Sequence, residues 1–231
     1  MHIEGSVAFV TGANRGLGRQ FAEQLVARGA AKVYAGARKP ESVTLDGVTP
    51  VQIDITDPAS VATAAELASD TTLLVNNAGT ANFHGLLEGP MDEIHELMDS
   101  HYFGTLSVTR AFAPHLKANA PAAILNILSV LSWAHPGGVG AYCGAKAALW
   151  AQTDCVRDEL VGHNVAVTAL HIGYMDTDMV AHVDGPKSDP AAVASAALDG
   201  VEQGLLEVLG DDLTRKVKAS LSADRGAAAT R

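Results

Sequence analysis

Val7-Ala8-Phe9-Val10-Thr11-Gly12-Ala13-Asn14-Arg15-Gly16-Leu17-Gly18 is the stretch whose reading decides the fold. An apolar run stops at a glycine-rich turn, and a helical pattern begins inside that turn. The order is therefore strand, loop, helix N-terminus. Gly12 lets the chain turn sharply, Gly16 lets backbone come close to a ligand, and Gly18 lets the helix pack on the strand. Free N–H groups at such a helix start face an anion, and a phosphate is the natural occupant. Asn14, Arg15 and Leu17 lie in the same loop. The spacing is G-x-x-x-G-x-G, which fits the common G-x-G-x-x-G dinucleotide fingerprint only loosely.

Outward from this unit, apolar strands and amphipathic helices alternate. A helix over about 16–28 carries Leu17, Phe21, Leu25 and Val26, and Gly29 stands at its C-cap position. A second strand follows at 32–36. Residues 39–50 are too few and too polar for a full crossover helix, so a turn or short helix is expected there. The next strands fall at 51–54, 73–75, 122–128, 165–170 and 206–209. Helices are expected at 58–68, 91–117, 142–161 and 190–203, the second interrupted by Gly104 and with Pro114 near a kink or end. The near-continuous apolar run 122–128 suits a parallel sheet covered on both faces. The pattern predicts an α/β chain with one Rossmann-type domain over 1–221, a doubly wound parallel seven-stranded sheet with helices on both faces. A flap is expected at 174–189 and a disordered tail at 222–231.

Composition narrows the partners. The 231 residues are 48% hydrophobic and 18% charged, enough for one sizeable core, and no linker-like segment divides them. A net charge of −10 without basic runs argues against nucleic acid and anionic membranes. No apolar stretch reaches bilayer length and the first residues lack signal-peptide character, so a cytoplasmic location is expected. Cys143 and Cys155 lie on one predicted helix about 18 Å apart, too far to bridge, and are expected as reduced thiols. The nine histidines are scattered without metal-site spacing, so no metal is expected.

The end of the second strand selects the cofactor. A carboxylate there would receive a ribose 2′-hydroxyl, a basic group a 2′-phosphate. The chain reads Ala37-Arg38-Lys39, and Arg15 can converge with Arg38 as a second forked donor, so NADP(H) is expected over NAD(H). Asp54 and Ile55 stand at the end of the third strand, where Asp54 can meet the adenine amino group. The fourth strand runs into Asn76-Asn77-Ala78-Gly79, whose small residues let the sheet edge approach the cofactor. Asn76 is assigned the structural duty of tying strands together.

Taken together, the loop 11–18, Asn76-Asn77-Ala78-Gly79, Ser129, and Tyr142 with Lys146 four residues on resemble the short-chain dehydrogenase/reductase family over roughly residues 5 to 210. The four motifs stand in the family's order, with Ser129 thirteen residues before Tyr142. The resemblance implies Ser129, Tyr142 and Lys146 as catalytic residues and Gly173, Met175 and Thr177 as further cofactor contacts, Gly173 and Thr177 matching the pattern that touches the carboxamide. It also implies a homodimer or homotetramer through the helices at 91–117 and 142–161, with Leu149, Trp150 and Val156 as candidate apolar contacts.

The chemistry can be argued from the residues themselves. Hydride addition to a carbonyl leaves an alkoxide that needs a proton, and a tyrosine hydroxyl supplies one only near its pKa of about 10. Lys146, one helical turn along, and the oxidised ring of a bound cofactor are expected to lower that value, and Lys146 to hold the ribose hydroxyls. Ser129 would donate to the substrate oxygen. Ser132 is assigned a structural or substrate-rim part.

Two positions depart from the family. His101 stands where it has an asparagine; an imidazole titrating near neutrality either relays the proton or merely fills the space. Ile172-Gly173 replaces its usual Pro-Gly. Trp133, His135, Phe83, His84, Met179, Val180 and His182 are candidate pocket walls, a mix that suits an apolar aldehyde or ketone of modest size. The expected function is NADPH-dependent reduction of such a carbonyl to an alcohol. The alternative is a dinucleotide-binding redox sensor with little turnover.

Overall fold

The computed structural model describes residues 1–82, 84–178 and 184–222. Phe83, Met179, Val180, His182 and all but the first residue of the expected tail lie outside them. The described strands are β1 (Val7–Thr11), β2 (Lys32–Ala37), β3 (Thr49–Gln52), β4 (Leu73–Asn76), β5 (Ala122–Ile127), β6 (Val165–His171) and β7 (Glu207–Leu209). They form one sheet in the order β3-β2-β1-β4-β5-β6-β7. Every pairing is parallel. The described helices are α1 (Gly16–Ala27), α2 (Pro58–Leu67), α3 (Met91–Met98), α4 (Thr105–Ala118), α5 (Gly140–Leu160), α6 (Pro190–Glu202) and α7 (Asp212–Ala219).

Alternation along the strands sends neighbouring residues to opposite faces. Ala8 and Val10 of β1 pack with Phe21 and Leu25 of α1 and with Ala194 and Leu198 of α6. Phe9, between them, packs with Val61 of α2 and with Val108 and Phe112 of α4. The Phe9 and Phe112 ring centroids are 4.7 Å apart. Burying such a side chain fully contributes roughly 1.5–3 kcal/mol, so the paired strands need helices on both sides. The strand order reverses between β1 and β4, and a cleft opens beyond their carboxyl ends.

Several elements differ from the sequence reading. The 39–50 connection, by contrast, holds one 3₁₀ turn, Pro40–Ser42, the turn or short helix expected there. β3 begins at Thr49 and stops at Gln52, because Asp54 turns its carboxylate onto the N–H and hydroxyl of Thr56. The long helix is divided by a π-helical turn, Asp99–Gly104, and Pro114 lies inside α4 without ending it. Buried Phe112 and Leu116 on either side hold that helix by packing. α5 begins at Gly140, which puts Tyr142 in its first turn. α7 was not expected. It is capped by Asp211, whose carboxylate accepts from the Thr214 N–H.

Of the three candidate subunit contacts, one is buried and two are half-buried. Leu149 is 2% exposed, Trp150 packs against the cluster Leu128–Leu149–Ala169, and Val156 packs against the core layer beneath α4. Both cysteines are free thiols, Cys143 buried and Cys155 exposed. Among the described residues no helix is long and apolar enough to cross a membrane, and no metal-binding cluster is present.

Candidate active site

The phosphate end is built by the tie between β1 and β4. Thr11 Oγ1 donates to the Val75 carbonyl at 3.2 Å and accepts the Asn77 and Ala78 amides, each at 3.0 Å. Asn77 Nδ2 returns to the Thr11 carbonyl at 2.9 Å. These bonds hold the glycine loop against Ala78 so closely that a Cβ on Gly12 would stand 3.0 Å from the Ala78 Cα. Gly12 has φ +67°, and a Cβ on Gly18 would overlap the Gly12 carbonyl oxygen. The N-cap of α1, Arg15, makes no side-chain cap, and the first turn carries no acidic residue. The helix start is thus left with free N–H donors, which suits a phosphate group.

A cleft of about 1490 Å³ runs from this loop across the sheet. It is lined by all the site residues read from the sequence: Gly12, Asn14, Arg15, Gly16, Leu17, Gly18, Arg38, Asp54, Ile55, Asn77, Ala78, Gly79, His101, Ser129, Tyr142, Lys146, Gly173, Met175 and Thr177. Lys39, Ser42 and Thr56 join Arg15 and Arg38 at its basic end. Arg15 approaches Asp178 at 3.7 Å, but both side chains are exposed and such a pair contributes little. Asp54 keeps its carboxyl below the usual range chiefly through its bond from the Thr56 hydroxyl. One of its oxygens is therefore already engaged.

Across the cleft, Asn76 Nδ2 donates to Asn126 Oδ1 at 2.8 Å, and Asn126 Nδ2 donates to Thr153 Oγ1 at 2.9 Å. This buried chain ties β4 to β5 and β5 to α5, the structural duty read for Asn76, and it fixes α5 relative to the sheet. Ser129 leaves β5 as the cap of a 3₁₀ turn over Val130–Ser132, its Oγ accepting the Leu131 N–H at 3.1 Å. Ser132 is 2% exposed and accepts the Ser129 N–H at 3.4 Å, a structural role and not a rim one.

Lys146 is 5% exposed, and its Nζ donates to the Ile127 carbonyl at 2.8 Å. It stands 5.6 Å from the centre of the Tyr142 ring. Burial pulls its pKa down to about 7 and pushes the Tyr142 phenol above its ordinary value. For the chain by itself burial dominates the phenol, so the expected lowering would need the charge of a bound cofactor ring as well as that of Lys146. Desolvation opposes the phenolate, and an ammonium that has given up much of its charge cannot offset it.

His101 sits in the π-helical turn, 3% exposed, its ring edge-on to Tyr142 at 5.3 Å and 85°. A carbonyl only accepts, so its Nε2–H donates to the Thr80 oxygen at 2.6 Å and Nδ1 keeps a lone pair. The ring lies against Gly79 where a Cβ would overlap Cε1, so glycine makes the room for imidazole. Burial, aided by the Lys146 charge, brings its pKa to about 3. The expected titration near neutrality is therefore corrected: the ring is neutral at physiological pH.

Beyond the catalytic residues the cleft is walled by Leu131, Ala134, His135, Pro136, Tyr174, Leu213 and Val217. Trp133 is not among them; it is 2% exposed and stacks on His171 at 3.8 Å and 22°. His84 instead pairs with Glu93 at 2.9 Å. Leu213 and Val217 belong to α7, which explains why the sequence reading omitted them.

Comparison with known proteins agrees with this arrangement. The model of the short chain dehydrogenase family matches residues 6–187. The 1-deoxy-11-beta-hydroxypentalenate dehydrogenase of Streptomyces avermitilis is 31% identical, over 92% of this chain and 84% of that protein. The 3-oxoacyl-(acyl-carrier-protein) reductase FabG of Vibrio cholerae is 27% identical, over 85% of this chain and 89% of its own. A short chain dehydrogenase from Burkholderia cenocepacia J2315, solved in complex with NADP, superposes with a TM-score of 0.95 at 42% identity, covering 99% of this chain and 97% of that one.

Proposed function

The chain belongs to the short-chain dehydrogenase family of oxidoreductases, and on that premise we propose that it is an NADPH-dependent reductase of apolar aldehydes or ketones of small to medium size. The carrying observation is that Ser129, Tyr142 and Lys146 meet in one cleft whose far end holds Arg15, Arg38 and Lys39. The glycine loop and the uncapped start of α1 would hold the diphosphate. The two arginines, with Lys39, would hold a 2′-phosphate, consistent with the NADP bound by the Burkholderia relative.

When bound, the reduced nicotinamide supplies the hydride that the carbonyl carbon receives. The chain's own residues handle the oxygen. Ser129 donates a hydrogen bond to it, stabilising the charge that develops there. Tyr142 delivers the proton to that oxygen as the charge on it develops. Lys146, anchored on the Ile127 carbonyl, lines the same cleft and would hold the nicotinamide ribose hydroxyls there. Leu131, Ala134, Pro136, Leu213 and Val217 offer apolar surface without a cation, which favours an uncharged substrate.

The test is NADPH oxidation with a panel of aldehydes and ketones. Turnover is expected with apolar members, and Tyr142→Phe is expected to lower kcat by about 10²–10⁴-fold while NADPH still binds. Tight NADPH binding without reduction of any carbonyl would instead support the redox-sensing reading.

A further inference from the structure

The segment after β6 forms one wall of the cleft, with Ile172, Gly173, Tyr174, Met175 and Thr177 all lining it. Its inner edge is tied to the catalytic strand, since the Ile172 carbonyl accepts the Val130 N–H at 2.9 Å, one residue from Ser129. Its outer edge meets Asp211. Oδ2 of that residue accepts the Gly173 N–H at 2.6 Å, while Oδ1 accepts the Thr214 N–H at 2.7 Å. A single carboxylate thus joins the cleft wall to the first turn of α7, the helix that brings Leu213 and Val217 to the substrate end. The approach is close: a Cβ on Gly173 would stand 3.0 Å from Asp211 Oδ2. The Gly173 N–H is accordingly engaged by Asp211, so any contact of this residue with a cofactor would come from its carbonyl or Cα.

We propose that Asp211 is a positioning residue of the reductase site, holding the Gly173 wall and α7 in one fixed relation to Ser129. Both carboxylate oxygens are needed at once. A hydroxyl, or the one acceptor oxygen of an amide, cannot make both bonds in the same geometry. α7 has independent anchors farther along: Arg215 Nη1 donates to the Leu209 carbonyl at 2.9 Å, and Lys218 Nζ pairs with Glu207 at 2.6 Å and lies 4.6 Å over the Trp133 ring. Loosening the helix and releasing Gly173 can therefore be separated by mutation.

The inference rests on the reductase reading, and its test keeps the two apart. Asp211→Ala, Asp211→Asn and Lys218→Met are compared with the wild type in two measurements. The first is hydrogen exchange of the Gly173 amide in the protein without cofactor, alongside NADPH affinity from fluorescence. The second is kcat and KM with a carbonyl substrate. Asp211→Ala is expected to speed Gly173 exchange at least about tenfold, the usual strength of a bond to a charged acceptor. It should lower kcat by a similar factor and change NADPH affinity by less than about threefold, since the phosphates dominate binding. Asp211→Asn is expected to fall between the two. Lys218→Met should leave Gly173 exchange and kcat near wild type. Unchanged Gly173 exchange in Asp211→Ala overturns the proposal, and so does a Lys218→Met defect as large as that of Asp211→Ala. If the wild type reduces no carbonyl, the reductase reading fails, and the exchange rates still decide whether Asp211 holds the wall.

Discussion

Lys146→Met should make the protein more stable while removing its activity. The ammonium is buried against β5, and its pKa falls from 10.5 to about 7. The unfolded chain holds that proton up to about pH 10.5, so between pH 7 and 10.5 the unfolded state binds more protons and stability rises with pH. Below pH 7 the whole penalty is present. At pH 7 the linkage amounts to about 4 kcal/mol against folding. Methionine fills nearly the same apolar space and has no charge to desolvate. It gives up the bond to the Ile127 carbonyl, a loss of about 1–3 kcal/mol. The balance is a gain of about 1–3 kcal/mol at pH 7, or roughly 2–10 °C in Tm for a chain of this size. Urea unfolding of both proteins from pH 6.5 to 10 reads it directly. The advantage of the variant should shrink steadily as pH rises, because only the wild type gains stability on deprotonation. A variant equal to or weaker than wild type at pH 7, or a difference that does not vary with pH, would refute the reasoning.

Arg38→Asp should reverse the cofactor preference, lowering kcat/KM with NADPH by about 10²-fold or more through loss of a charged donor and gain of a repelling charge, with NADH little affected. Equal use of NADPH and NADH by the wild type would defeat the assignment. Acid should unfold the protein early, because His101 and His171 are buried with pKa values near 3 and 4, both lowered chiefly by burial. The unfolded histidines take up protons below about pH 6.5, so stability falls as pH drops from 6.5 toward 4, by about 3 kcal/mol per pH unit for the two together. His171→Phe, which keeps the stacking on Trp133, should halve that slope in urea midpoints; an unaltered slope would show that the buried imidazoles do not govern it.

The legible and the illegible parts of the sequence separate by range. Runs that announce themselves locally were read to within a few residues: the apolar strands, the glycine loop, and the Tyr142 and Lys146 pair one turn apart. The cleft residues could be gathered because a doubly wound sheet brings the carboxyl ends of β1, β4 and β5 together, whatever fills the space between. Properties set by burial could not be read that way. His101 has an ordinary imidazole pKa on paper and loses it because burial, aided by the Lys146 charge, outweighs its bond to the Thr80 carbonyl. Lys146 looks like a permanent cation until the sheet covers it.

α7 meets the same limit, and the consequence reaches substrate choice. Its eight residues, Asp-Leu-Thr-Arg-Lys-Val-Lys-Ala, place two large apolar side chains four apart among three cations, a stripe that marks a short amphipathic helix but not what it lines. Its local signs are Asp211 as an N-cap, three residues before the Thr214 amide that it receives, Asp212 in the first turn, and Lys216 and Lys218 in the last. The second bond of Asp211, to Gly173, spans 38 positions and exists only because β6 and β7 lie side by side. The glycine loop and the catalytic residues are each identifiable from a few consecutive positions, whereas the wall that faces the substrate is assembled from segments far apart in the chain. Substrate choice should therefore change with substitutions in α7 and after β6 that leave the motifs intact, as the separation of Leu213 and Val217 from Tyr142 in sequence, and their meeting in one cleft, requires.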